Sequence, residues 1–325
     1  MLILAAVVVG LAAERGAAAE VLGVGNFSHI VGNLERSVEF YRDTIGLEPN
    51  VEATPWSDNP AIMRMGATPG AESRIATFRI PGSELGVELI EYRNIDRRPV
   101  QVRFQDPGAA NLMLRVRDLD PILERVKRST GRVWTPSGQP VAVGDSARIV
   151  FLQDPDGFFI EVVEGMPPSS PSGAPPEGNV LGADFEIIVR DSEETARFYR
   201  DGLGYEPRIG ESFDDTKLLT DTVNALGGAF RRTTSTIPGT SVSMVFMEFR
   251  DVTRAPLATR VQDPGTAILQ LFVDDTAELT QRLESAGGTV ISEGGVPVEV
   301  RPGRHISIVR DPNNLFLELI EAPAQ

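Results

Sequence analysis

The chain has 325 residues, enough for two domains of ordinary size that each bury a core. Its 31 basic and 46 acidic residues leave a formal charge of −15, which repels nucleic-acid phosphates and anionic membrane surfaces; the only lysines are Lys127 and Lys217, and the scattered arginines form no basic patch. The absence of cysteine excludes thiolate nucleophiles, zinc–thiolate sites, iron–sulfur clusters and disulfides. At the N-terminus, Leu2 to Ala13 is apolar apart from Gly10, and Ala17-Ala18-Ala19 resembles a cleavage site. Residues 1–20 therefore read as an export signal that would send the mature protein to the periplasm or outside the cell. No basic region precedes the apolar run, so a cytoplasmic protein with an apolar tail stays open.

Further along, Asn33 is a natural helix N-cap before the amphipathic run Glu35 to Tyr41, and Gly46 is a helix stop. Ala76 to Ile80 and Gly86 to Tyr92 are β-like. A second cap position stands at Asp118, and Arg148 to Leu152 and Phe158 to Val163 flank an Asp-Pro-Asp-Gly turn. Residues 165–180, rich in proline, serine and glycine, predict an extended linker. Caps then return at Asp191 and Asp275, with a helix over Glu193 to Tyr199 stopped by Gly204, a β-like Ser241 to Phe249, and a closing hairpin from Ile306 to Ile320.

The second half repeats the first. Phe40-Tyr41-Arg42-Asp43 returns at Phe198-Tyr199-Arg200-Asp201, an offset of 158. Arg103-Phe104-Gln105-Asp106-Pro107-Gly108 returns at Arg260 to Gly265, and Asp154-Pro155-Asp156-Gly157 at Asp311 to Asn314, both at offset 157. Four cap-plus-helix segments imply four modules, two in each half: residues 22–164 and 181–322.

The run from Asn33 to Leu47, followed far downstream by Asp154 to Gly157 and Ile160-Glu161-Val162, resembles the vicinal oxygen chelate superfamily of glyoxalase, bleomycin-resistance and extradiol-dioxygenase relatives. The resemblance implies an α+β fold of four βαβββ modules paired into two tandem cupped sheets, one cup per half, with the site on the concave face. It also implies metal ligands on the first strand of a module, seven residues before the cap, and at the glutamate of the last strand. Those positions hold Asn26, Asn111, Asp184 and Ile268, and Glu88, Glu161 and Glu318. The first half would then assemble Asn26, Glu88, Asn111 and Glu161, an all-oxygen set that suits Mg²⁺, Mn²⁺ or Ca²⁺ better than zinc or iron. The second half, with Asp184, Ile268 and Glu318, looks degenerate unless Glu248 or Gln270 turns inward.

Both histidines carry two readings. His29, three residues past Asn26, would face the packed helices on a regular strand, but a bulge would bring it into the cup as a metal ligand beside Glu88 and Glu161. His305 would border the pocket as a general acid or base, or simply hydrogen-bond. Arg103 and Arg260 read as braces of a turn. Two functions follow. One is a metal-assisted lyase or isomerase in which Glu161 and His305 take part in chemistry on a small oxygenated molecule; the missing two-His-one-carboxylate set argues against an extradiol dioxygenase. The other is a metal-free protein of bleomycin-resistance type that only holds a small molecule. Either would act as a monomer or homodimer with no nucleic-acid or membrane partner.

Overall fold

The computed structural model describes residues 18–167 and 177–322, so most of the run read as an export signal and the middle of the expected linker lie outside the described residues. Module one contains β1 (Val21–Ile30), α1 (Leu34–Glu39) continued by a π turn (Phe40–Ile45), β2 (Glu48–Val51), α2 (Pro60–Met65), β3 (Glu72–Arg79) and β4 (Gly86–Arg93). Module two contains β5 (Ala110–Val116), α3 (Asp120–Val126), β6 (Arg132–Val133), β7 (Val141–Val143), β8 (Ala147–Gln153) and β9 (Phe159–Glu164). Module three contains β10 (Val180–Val189), α4 (Ser192–Leu203), β11 (Arg208–Ile209), α5 (Lys217–Thr222), β12 (Ala229–Thr236) and β13 (Ser243–Arg250). Module four contains β14 (Ala267–Val273), α6 (Thr276–Ser285), β15 (Thr289–Val290), β16 (Val298–Arg301), β17 (Arg304–Arg310) and β18 (Phe316–Glu321).

The local rules hold. Asn33, Asp191 and Asp275 cap their helices, accepting the amides of Arg36, Glu194 and Glu278 at 2.8, 2.8 and 2.9 Å. α3 starts one residue later than expected, with Leu119 at the cap, and Asp118 accepts the Asp120 amide at 3.0 Å. Gly46 and Gly204 end their helices at φ 92° and 71°, a left-handed turn that glycine adopts without steric cost. No described helix is long and apolar enough to cross a membrane.

Two nine-stranded sheets form, but their composition corrects one expectation. The first runs β15-β17-β18-β14-β1-β4-β3-β2 and the second β11-β12-β13-β10-β5-β9-β8-β6, with β16 and β7 added beside β17 and β8. Module one thus pairs with module four, and module two with module three. The first strands meet antiparallel, β1 on β14 and β10 on β5, and each is flanked by the parallel last strand of its own module. Each cup therefore takes one module from each half, and the halves interleave.

The physical reason lies in the faces turned away from the cups. They share one core, into which the module helices drop Leu34, Val38, Ile122, Phe198, Leu279 and Leu283. Phe27 of the first sheet stacks 4.5 Å from Phe158, in the turn before β9, and lies tilted 5.3 Å from Phe185 of the second sheet, so the sheets pack back to back and the cups open away from each other.

Candidate active site

Alternation along the strands sends one row of side chains into each cup. In the first cup that row includes Ile30, Ile90, Tyr92, Ile268, Ile308 and Phe316, an apolar wall closed above by Met63 and Met65 of α2 and by Val261. Four polar residues break the wall. Ser28 lies opposite Glu88 across β1 and β4, and Gln270 opposite Glu318 across β14 and β18. Ser28 Oγ donates to Glu88 Oε2 at 2.6 Å, while Gln270 Nε2 donates to Glu88 Oε2 at 2.9 Å and Glu318 Oε2 at 3.1 Å. One amide thus bridges two buried carboxylates. Burial first, and then the charge of Glu88, pushes Glu318 up to about 8; burial also raises Glu88 against its bonds to Ser28 and Gln270. Tyr92 is likewise held above its ordinary value by burial, then by the charges of Glu318 and Glu88.

The expected set is split by the module exchange: Asn26 and Glu88 belong to the first cup, Asn111 and Glu161 to the second. Asn26 is also not the residue that faces the carboxylates. The register of β1 on β14 slips between Val24 and Phe27, and Asn26 sits there with its backbone and side-chain amides each 3.0 Å from Gln270 Oε1. It fixes the Gln270 amide, and the central positions fall five residues before the cap, at Ser28 and Gln270. One clue lies in the sequence: Gln270 is a lone polar residue inside the apolar strand Ile268 to Val273, whereas Ser28 and Glu186 have polar neighbours in His29 and Asp184 that blur the signal.

In the second cup, Asn111 Nδ2 donates to Glu186 Oε2 at 2.8 Å beside Glu161. Burial first, then the charge of Glu186, pushes Glu161 to about 8, against the pull of Arg232 and Asn111. Among the described residues, Glu161 Oε2 and Asn111 Oδ1 are buried with no hydrogen-bond partner. Phe104, from the loop before β5, fills this cup and packs edge-on at 5.0 Å to Phe151 and 5.2 Å to Phe159. Glu161 is thus held in a blocked cup apart from Glu88. A carboxyl with a raised folded pKa lets the folded state bind the extra proton, so stability falls as pH rises from the ordinary 4.5 toward 8. Glu161→Gln is expected to flatten that fall and to gain a few kcal/mol at pH 8, read from urea unfolding at several pH values; an unchanged pH slope would refute it.

Neither histidine enters a cup. On β1, His29 follows Ser28 and so points the opposite way, into the core, fully buried with Nε2 3.0 Å from Asp154 Oδ2. His29, Asp154 and Asp156 place ligand atoms within 4.8 Å of one another and could hold a metal. Their oxygens are already engaged, however: Asp156 by the Gly32 amide, Arg36 and Ser37 at 2.9, 2.7 and 2.8 Å, and Asp154 by the Asp156 and Phe158 amides, both at 2.9 Å. His305 alternates with the cup residues Ile306 and Ile308, so it lies on the outer side of β17, its Nδ1 2.7 Å from Glu321 Oε2. The side chain is thus turned away from the first cup and toward Glu321.

Other candidates prove structural. Asp184 is buried against Arg115 and the Ser243 amide. Glu248 accepts the Ser192 amide at 3.0 Å and pairs with Arg231, as Glu91 does with Leu34 and Arg74. Arg103 and Arg260 brace their turns through Asp106 and Asp263 at 2.7 and 2.6 Å. A hollow of about 670 Å³ beside α2, lined by Asp58, Met63, Arg64 and Glu293, contains none of the cup carboxylates.

With this geometry in hand, the likeness to known proteins is specific. The family description Glyoxalase/Bleomycin resistance protein/Dioxygenase superfamily matches residues 23–162 and 183–319. The chain is similar to a lactoylglutathione lyase of Haemophilus influenzae, 30% identical over 134 residues that cover 41% of this chain and 86% of that protein. It is also similar to a 2-epi-5-epi-valiolone epimerase of an Actinomyces species, 28% identical over 160 residues, 47% of this chain and 82% of that one. Among solved structures, glyoxalase I from Zea mays shares the fold with a TM-score of 0.58 at 16% identity, over 94% of this chain and 92% of that chain. A putative dioxygenase from Bacillus subtilis does so with a TM-score of 0.58 at 15% identity, over 94% and 87%. The two matched regions cover most of the chain, and it belongs to the glyoxalase, bleomycin-resistance protein and dioxygenase superfamily.

Proposed function

We propose that the first cup is a metal-assisted proton-transfer site of the lyase or isomerase kind, acting on a small molecule that carries adjacent oxygens. The observation that supports this is the pair Glu88 and Glu318: both buried, bridged by the Gln270 amide, with no cation in ion-pair distance among the described residues. Burying two carboxylates together is costly unless a proton or a cation offsets the charge. The donors present fit a hard divalent cation: the carboxylates of Glu88 and Glu318 and the hydroxyl of Ser28, with Gln270, whose Oε1 is held by both Asn26 amides, remaining a donor to the carboxylates. Such a cation, when bound, would polarise the oxygens of the substrate.

The chain's own residues supply the rest. With no cation bound, burial and the charge of Glu88 hold Glu318 above its ordinary value; a bound cation would offset both and favour the carboxylate, the form that can take a proton from a substrate. Ser28 orients Glu88, Asn26 orients Gln270, and the isoleucine wall under Met63 and Met65 keeps water out, which strengthens every charge interaction inside. The likeness to a lyase and an epimerase supports the same reaction class. The second cup, occupied by Phe104, is read as non-catalytic.

Elemental mass spectrometry tests this. After incubation with Mg²⁺ or Mn²⁺ the wild type is expected to retain stoichiometric metal, and the Glu88→Gln, Glu318→Gln double variant to retain none. A metal-free wild type would favour a protein that only holds its ligand.

A further inference from the structure

The hairpin joining β16 and β17 is built around Arg301-Pro302-Gly303-Arg304. Gly303 sits at φ 70°, the conformation required after a proline at the tip of a tight turn, and its amide donates to Glu299 Oε1 at 2.9 Å. The turn places Arg301 directly opposite Arg304. Like charges facing each other across two strands are destabilising, and the nearby carboxylates, Glu299 on the Gly303 amide and Glu318 within the cup, form no ion pair with either arginine. Neither guanidinium has a carboxylate within ion-pair distance among the described residues, although the chain as a whole carries 46 acidic side chains. Arg304 alternates in phase with Ile306 and Ile308, so it lies on the cup face of β17, half-buried, at the mouth of the first cup. Burial and the neighbouring charge of Arg301 both press on its cation, opposed by the charge of Glu318. The corresponding positions in the first half are Gly144 and Ala147, so the second cup has no such pair.

We propose that Arg301 and Arg304 form an anion-recognition site at the mouth of the first cup, and that its substrate carries a carboxylate or phosphate at the end remote from its reacting oxygens. The proposal rests on the first cup being the reacting one. A guanidinium pair matches such groups in charge and in hydrogen-bond geometry, and the bound anion removes the repulsion that the empty hairpin suffers. Strand geometry sets the spacing: Ile308 lies opposite Glu318, and Arg304 is four residues away on the same face, about 13 Å along the strand. The long side chains of Arg304 and Glu318 reach toward each other across that backbone distance, close enough for their charges to interact, so an anion at the mouth and oxygens at the floor fit the two ends of one short ligand.

Calorimetry on the full chain tests the assignment with three probes. 2-Oxoglutarate carries adjacent oxygens and a remote carboxylate, dihydroxyacetone phosphate carries a phosphate instead, and 2-oxobutyrate lacks the remote charge. Wild type is expected to favour one of the two charged-tail probes over 2-oxobutyrate. Arg304→Gln should weaken that probe about tenfold, and the Arg301→Gln, Arg304→Gln double variant further, with 2-oxobutyrate unchanged. The unfolding midpoint of the double variant should not fall, since a repulsion is relieved; a drop would mark the pair as structural and overturn the proposal. Binding of neither charged probe by wild type, or equal binding by wild type and double variant, overturns it too. If metal uptake is normal but the arginines are irrelevant, the anion site alone fails. If the arginines govern binding in a protein that takes up no metal, the reading of the first cup as a metal centre fails and the anion site stands.

Discussion

Asp154→Ala is expected to cost about 3–5 kcal/mol of stability, because it removes the acceptor around which the two sheets are joined. The Asp154 carboxylate, in the turn between β8 and β9, accepts the amides of Asp156 and Phe158, both at 2.9 Å, and the Tyr41 hydroxyl at 3.2 Å, and it faces His29 at 3.0 Å. Tyr41 and His29 come from module one, so a single buried carboxylate ties the second sheet to the first. Asp311 plays the same part in the second half, taking the Asn313 and Leu315 amides at 2.8 Å each and Tyr199 at 3.1 Å. There, however, Ile187 stands where His29 would be. Burial presses against a charged His29, but Asp154, by charge and hydrogen bond, and then Asp156 outweigh it and leave its pKa raised.

The sign follows from that direction. A histidine whose folded pKa exceeds its unfolded value stabilises most below the unfolded value, about 6.5, and that part is lost as pH climbs through the folded pKa. His29→Gln should therefore be most damaging in mildly acidic buffer and progressively less so in alkali. Urea unfolding of wild type and both variants across that range is the check, and an equal loss at every pH would show that the ion pair contributes nothing.

Phe104→Ala is expected to cost about 3–5 kcal/mol as well, through a cavity in place of a lost contact with water or charge. Phe104 is 1% exposed, packs edge-on against Phe151, Phe159 and Phe249, and seals Glu161 and Glu186 beneath it. Its counterpart over the first cup is the smaller Val261. Since the hollow at Phe104 also borders Arg232, which acts on Glu161, the void left behind joins aromatic rings to charged groups and should admit water in place of an apolar guest. A loss below about 1 kcal/mol would mean that the ring is not the plug described.

The exchange of modules explains why the two cups differ although the halves of the chain match. Because module one closes on module four and module two on module three, neither cup inherits a complete half, and the two cups are free to diverge. One keeps Ser28, Glu88, Gln270 and Glu318 under Val261 and the arginine hairpin. The other keeps Asn111, Glu161 and Glu186 under an aromatic stopper.

By itself the sequence determined what depends on near neighbours. A side-chain oxygen at Asn33, Asp191 or Asp275 can satisfy only the helix amides that follow it, and a glycine at Gly46 or Gly204 permits the left-handed turn that ends the helix; these and the duplicated Asp-Pro turns define four modules and the superfamily. Three matters lay beyond such rules. Repeats show which modules are equivalent but not which meet, because that choice is made by long-range pairing and by the packing of Phe27 against Phe158 and Phe185. Alternation assigns Asn26 and Ser28 to one face but not which of them stands opposite Glu88, since the register of β1 on β4, with Asn26 beside Gly86 and Ser28 beside Glu88, decides it. And the roles of His29 and His305 turned on facing, a matter of one residue along a strand, which only the packed core against Asp154 and the outer pairing with Glu321 resolved.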